Sequence, residues 1–139
     1  MRLEVTRRAG LAVRAMSCLA PPGRRVKAGD LATALDTTVG FVPQIIGPLV
    51  KVGLVRSEPG PTGGYALTNA AAHASVLDVV EAVDGPTATG RCIVENHPCD
   101  AGTQCRLHHA WSAARDTLTS HLAATPAVPP SPPRKGAQS

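Results

Sequence analysis

Cys92, Cys99 and Cys105 stand with six residues between the first two and five between the last two, and His108 follows three residues after the last thiol. With His97 and His109 they put three of the four cysteines and three of the five histidines into eighteen residues. Thiolates and imidazoles are the ligands of zinc and of iron–sulfur clusters, and four such side chains complete a tetrahedral set. Pro98 and Gly102 disfavour a regular helix or strand between them, so a bound metal would hold the loop in place of backbone hydrogen bonds. The spacing is wider than the paired cysteines of zinc ribbons or fingers, and ligand types alone leave zinc and iron–sulfur both open. Disulfides are disfavoured, because no apolar signal segment follows the charged start Met1-Arg2-Leu3-Glu4 and a reducing cytoplasm is the expected setting. Cys18 lies apart, among apolar helical positions, and reads as a core residue.

The scaffold that must position this loop is small. In 139 residues with one Trp, one Tyr and one Phe, a single modest domain with an Ala, Val and Leu core is expected, with a partner chain supplying further burial. No apolar run approaches bilayer length and no lipidation signal is present, so no membrane contact is expected. Residues 1–56 carry nine basic against three acidic residues, a net +6, whereas residues 57–139 carry five against seven, a net −2. The basic half is the candidate for phosphate contact. No serine, cysteine or carboxylate constellation suggests catalysis, so an enzyme is not expected.

Thr6 is a good N-cap for an amphipathic helix with Leu11, Ala12, Ala15, Met16 and Leu19 on one face, ended by Pro21-Pro22-Gly23. Asp30 to Asp36 and about Phe41 to Val52 read as two helices around the turn Thr37-Thr38-Val39-Gly40, which is helix-turn-helix spacing, with Gly53 as a left-handed cap. Leu54–Ser57 and Tyr65–Thr68 read as strands joined by the glycine-rich turn 58–64. Helix-turn-helix plus hairpin predicts a winged helix. Ser75 and Asp78 resemble a capping box opening a helix through Val83 that would brace the wing to the cysteine loop. Leu107, Trp111, Ala114, Leu118 and Leu122 mark a helix of about five turns whose apolar stripe suits packing on a copy of itself. The predicted fold is therefore mainly α with a small β-hairpin wing: a winged helix-turn-helix over 1–85, a cluster-binding loop and dimerisation helix over 86–125, and a disordered Pro-rich tail over 126–139.

Leu31-Ala32 through Gly53-Leu54-Val55, Gly60-Pro61-Thr62-Gly63-Gly64-Tyr65, Asp78 through Gly85 and the cysteine triplet, in that order, resemble the iron–sulfur winged-helix transcription regulators, the BadM-type group that includes IscR, NsrR and RsrR. The resemblance covers about residues 3 to 124. It implies a dimeric bacterial repressor whose cluster sets DNA affinity, and it moves iron–sulfur ahead of zinc. His108 sits where IscR-like members carry a histidine ligand to a 2Fe-2S cluster, so Cys92, Cys99, Cys105 and His108 are the implied ligands. NsrR-like members hold 4Fe-4S with a carboxylate from the partner's first helix; here the matching position is Gly10, although Glu4, His97 and His109 could substitute for His108.

On the DNA side, Pro43 is tolerable near a helix start, but Pro48 removes a hydrogen bond and adds a clash of roughly 3 kcal/mol, so a kink after Gln44 is expected. Thr37, Thr38, Phe41 and Gln44 are the candidate base-reading residues, Gln44 being able to pair bidentately with adenine for about 1 to 3 kcal/mol of discrimination. Arg7, Arg8, Lys51 and Arg56 are candidate phosphate contacts, and Thr62 and Gly63 would let the wing backbone approach DNA. A homodimer would present two recognition helices to successive major grooves of a palindrome, about 34 Å apart. Nitric oxide, oxygen or peroxide acting on the cluster would be the signal. The alternative is a zinc-stabilised winged-helix interaction module without sensing.

Overall fold

The computed structural model describes residues 1–94 and 104–130. The first helix, α1 (Arg7–Leu19), begins as its sequence predicts: Thr6 is extended and its hydroxyl accepts from the Ala9 N–H at 3.1 Å. Its buried face is Ala9, Leu11, Ala12, Ala15, Met16 and Leu19.

The second helix, α2 (Ala28–Ala34), starts two residues before the expected Asp30, and Asp30 thereby falls in the first turn, where its carboxylate faces the positive end of the helix dipole. It ends in a Schellman motif centred on Asp36, whose φ of 54° is left-handed: the Asp36 N–H donates to the Thr33 carbonyl and the Thr37 N–H to the Ala32 carbonyl. A short 3-10 turn, Val39–Phe41, leads into α3 (Val42–Lys51), with Pro43 in the first turn. This helix runs unbroken through Pro48 to Lys51. Gly53, at φ 82°, closes a second Schellman motif in which the Leu54 N–H reaches the Leu49 carbonyl at 2.9 Å.

β1 (Val55–Glu58) and β2 (Gly64–Leu67) pair antiparallel with Val55 opposite Leu67 and Glu58 opposite Gly64, each strand within one residue of its sequence expectation. A contact that periodicity does not reveal completes the wing. Val26, in the strap between α1 and α2, exchanges two backbone hydrogen bonds with Tyr65, both 2.8 Å, and so lines the free edge of β2.

After a 3-10 turn at Asn69–His73, α4 (Val76–Asp84) opens with a complete capping box between Ser75 and Asp78. Rather than bracing the wing, α4 packs chiefly on α1, with α3 and α5 also against it. The last helix, α5 (His108–Ala123), is 16 residues long and has no buried residue. The stretch expected to be a loose tail departs from that expectation at its start: Pro126 bridges Ser75, the Ala127 N–H donates to the Ala74 carbonyl at 2.9 Å, and Ala127 is buried in the core. Two short backbone bonds hold it where side-chain composition suggests nothing. The remainder, 131–139, lies outside the described residues.

The core is Leu, Ile, Val, Ala and Met, as the shortage of aromatics requires; Phe41, Tyr65 and Cys18 only pack against its edge.

Candidate metal centre and nucleic-acid interface

Gly85, left-handed at φ 85°, stops α4 and sends the chain toward the cysteine loop. Glu81 turns back to accept the Thr87 N–H at 2.5 Å, which fixes the direction of departure. On the far side the His108 N–H donates to the Cys105 carbonyl at 3.1 Å, so Cys105 sits in the turn that starts α5. The two approaches converge. Cys92, Cys105 and His108 line one cavity of about 60 Å³ together with Gly90, Arg91, Ile93, Trp111, Ser112 and Arg115.

Cys92, Cys105 and His108 are all half-buried, and the His109 ring meets that of His108 edge-on with centroids 5.4 Å apart. Trp111 lines the cavity with them, and Arg91 and Arg115 bring positive charge to it, the complement an anionic thiolate-bound centre needs. Cys99 and His97 lie outside the described residues. Among the described residues no three donors gather as a metal-holding group, but two soft thiols and an imidazole facing one small cavity fit an iron–sulfur cluster or zinc in donor chemistry. Glu4 is exposed and pairs with Arg2 at 3.6 Å, and Gly10 has only Val5 near its missing side chain.

The candidate nucleic-acid face comprises α3 and the wing. Val42, Ile45, Ile46 and Leu49 anchor one side of α3 in the core, which turns Pro43, Gln44, Gly47, Val50 and Lys51 to solvent. Thr38 is exposed beside them, Thr37 is half-buried, and Phe41 is half-buried against the core. Arg7 and Arg56 are exposed. Arg8 is exposed as well, and one end of its guanidinium donates to the Val83 carbonyl at 2.9 Å, at the end of α4. Beside it the Thr6 hydroxyl donates to the Asp84 carboxylate at 2.8 Å. Both bonds tie α1 to the point where the chain leaves for the cysteine loop.

Gly63 is buried in the wing turn, so its requirement for glycine is internal to the protein. A Cβ there would overlap the Glu58 carbonyl oxygen and stand 2.7 Å from that of Pro59. Gly63→Ala should therefore force the turn open, lowering stability by about 1–3 kcal/mol as a crowded site does, measurable as a shifted urea midpoint; an unshifted midpoint would show that the turn has room. The wing also holds a residue that sequence reasoning passed over. Arg25, from the strap, donates to the Thr62 carbonyl at 3.0 Å; its only sequence signal is the Arg24-Arg25 pair in an apparently unstructured link.

Residues 5–126 match the Rrf2 family, described as an iron-dependent transcriptional regulator. The chain is a member of the Rrf2 family. Among curated relatives it is 35% identical over 125 residues to an HTH-type transcriptional regulator of Mycobacterium tuberculosis, covering 88% of this chain and 78% of that protein. It is 33% identical over 97 residues to IscR of Escherichia coli, covering 70% of this chain and 59% of that protein. In fold, this Rrf2 chain superposes on CymR, the global cysteine regulator of Bacillus subtilis, with a TM-score of 0.72 at 21% identity over 91% of this chain and 94% of that one. It superposes on IscR of T. potens with a TM-score of 0.65 at 22% identity, over 90% and 83% of the two chains. The Rrf2 protein is thus a winged-helix transcriptional regulator rather than an enzyme. Among its described residues no helix is long and apolar enough to cross a membrane.

Proposed function

We propose that this Rrf2 protein is a cytoplasmic, homodimeric repressor that binds a palindromic operator and whose DNA affinity depends on an iron–sulfur cluster held by Cys92, Cys99, Cys105 and His108, in a 2Fe-2S form, with 4Fe-4S the other cluster type the cysteines could hold. The observation that carries this reading is the cavity shared by Cys92, Cys105 and His108 at the start of α5. When bound, such a cluster supplies an iron centre open to nitric oxide, oxygen or peroxide.

The protein's own residues supply the coupling. Cys92 follows α4 and Cys105 precedes α5, so holding the two thiols together sets the start of α5 against the end of α4. Thr6 and Arg8 carry that placement to α1, which packs on α3. Leu107, at the cap of α5, and Leu118 on it are 46% and 50% exposed, with Trp111 and Leu122 half-buried beside them, and this apolar exposure supports dimerisation through the helix. Two α3 helices then enter successive major grooves, with Thr37, Thr38 and Gln44 reading bases and Arg7, Arg8, Lys51 and Arg56 on phosphates.

Protein purified without air should be coloured and carry iron and acid-labile sulfide. Cys105→Ser should lose both and bind operator about 5- to 150-fold more weakly, the usual span of an allosteric coupling. His108→Ala should shift the visible spectrum while retaining iron. A colourless preparation bearing zinc would replace the sensor with the zinc-stabilised module, and a Cys105→Ser protein with parental affinity would remove cluster control of DNA binding.

A further inference from the structure

The strap and wing together hold four basic residues, Arg24, Arg25, Lys27 and Arg56, and between 20–27 and 55–68 the single acid is Glu58. That carboxylate is shared. Arg25 reaches it at 3.2 Å and Arg56 at 3.1 Å, one guanidinium on each oxygen. Arg25 also donates to the Thr62 carbonyl in the wing turn, so its planar fork is oriented before any partner arrives.

The backbone beneath Arg25 is equally set. Val26 and Tyr65 exchange their two hydrogen bonds, the Gly23 N–H donates to the Leu67 carbonyl at 3.1 Å, and Gly64 has no side chain to push Val26 away; a Cβ at Gly64 would come within 2.6 Å of the Val26 carbonyl oxygen. The strap is therefore a third, basic edge of the wing. Its charged ends remain in water: the side chains of Arg25 and Arg56 are 53% and 55% exposed, against 32% for Glu58.

We propose that Arg25 is a DNA-phosphate contact of the wing, and that Glu58 is the stand-in anion that a phosphate displaces from Arg25 and Arg56. This deepens the DNA-binding reading of the wing and rests on it. A phosphate presents the same paired oxygens to a guanidinium fork as a carboxylate does. Half-exposed ion pairs contribute little to folding, so the exchange leaves the wing intact. Glu58 also lowers the net charge of this edge from +4 to +3 until a phosphate array, with its many charges, outcompetes it. DNA backbone fits better than an acidic peptide because Lys51 stands two turns after Gln44 on the exposed face of α3, and Arg56 is exposed on β1, the strand that follows α3 into the wing.

The test is a salt titration of the full chain against a fluorescein-labelled random-sequence duplex of roughly three helical turns, followed by anisotropy, since phosphate contact is independent of sequence. Each phosphate contact contributes about 0.9 to the logarithmic salt slope, so with one Arg25 from each protomer of the dimer on the duplex the parent should lose about 12-fold more affinity than Arg25→Ala between 50 and 200 mM salt. Arg25→Lys should keep the parental slope, and Glu58→Gln should bind more tightly than the parent at every salt concentration. An Arg25→Ala slope equal to the parent's, with the parent bound, overturns this proposal and leaves the DNA reading standing. If Arg25→Ala does not fold, Glu58→Gln decides instead: no gain in affinity overturns the displacement. A parent that ignores the duplex altogether removes the DNA reading and this proposal with it.

Discussion

A Leu118→Asp protein is expected to sediment as a monomer and to bind an operator selected from a random pool about 10²- to 10⁴-fold more weakly than the parent, because a dimer engages its second half-site at high effective concentration and a monomer does not. Leu118 is half exposed in the single chain and sits in the stripe that runs Leu107, Trp111, Ala114, Leu118, Leu122 along α5. At 16 residues this helix extends about 24 Å, long enough for several turns to meet a partner. An aspartate on that stripe would have to be buried without a partner charge, and the interface would not form. The monomer itself should be little affected, since exposed substitutions usually stay within about 0.5 kcal/mol. Analytical ultracentrifugation and thermal melting separate the two consequences. A variant that remains dimeric with parental affinity would place the interface elsewhere.

The second large effect is on stability. Leu49→Ala is expected to cost about 2–5 kcal/mol, the range for a fully buried leucine whose cavity cannot collapse. Leu49 is wholly buried, on the face of α3 that meets α1 and α4, and its carbonyl accepts the Leu54 N–H that closes the helix. Loss of the side chain loosens the anchor beneath α3 at the end where Lys51 emerges. For a chain of this length the melting temperature should fall by on the order of 10 °C. A fall of only a degree or two, measured by calorimetry on protein in the same metal state, would mean that the neighbouring Ile45, Ile46 and Val42 refill the space.

The candidate site was legible in part. Cysteine spacing and the trailing histidine identify ligand-type residues, since those side chains carry their chemistry wherever they stand. That Cys92 and Cys105 share a cavity with His108 depends on how α4 and α5 leave the core, which the spacing does not specify. Arg8 illustrates the converse: its bond to the Val83 carbonyl, 75 residues away, ties α1 to the end of α4, a contact that its place on a solvated helix face does not reveal.

What the chain's own order of residues determined was everything that acts within a turn or two. Thr6, the Ser75–Asp78 box, Gly53 and the apolar periodicities of α1 and α3 lie within four residues of the groups they satisfy, so local pattern and local structure coincide. Only the tertiary structure decided the pairings made by backbone between distant segments: Val26 with Tyr65, and Ser75 with Pro126. Backbone N–H and carbonyl groups are the same in every residue, so which of them meet is set by the packing of helices around one core, and with it the place of Arg25 on the wing and of Ala127 in the interior.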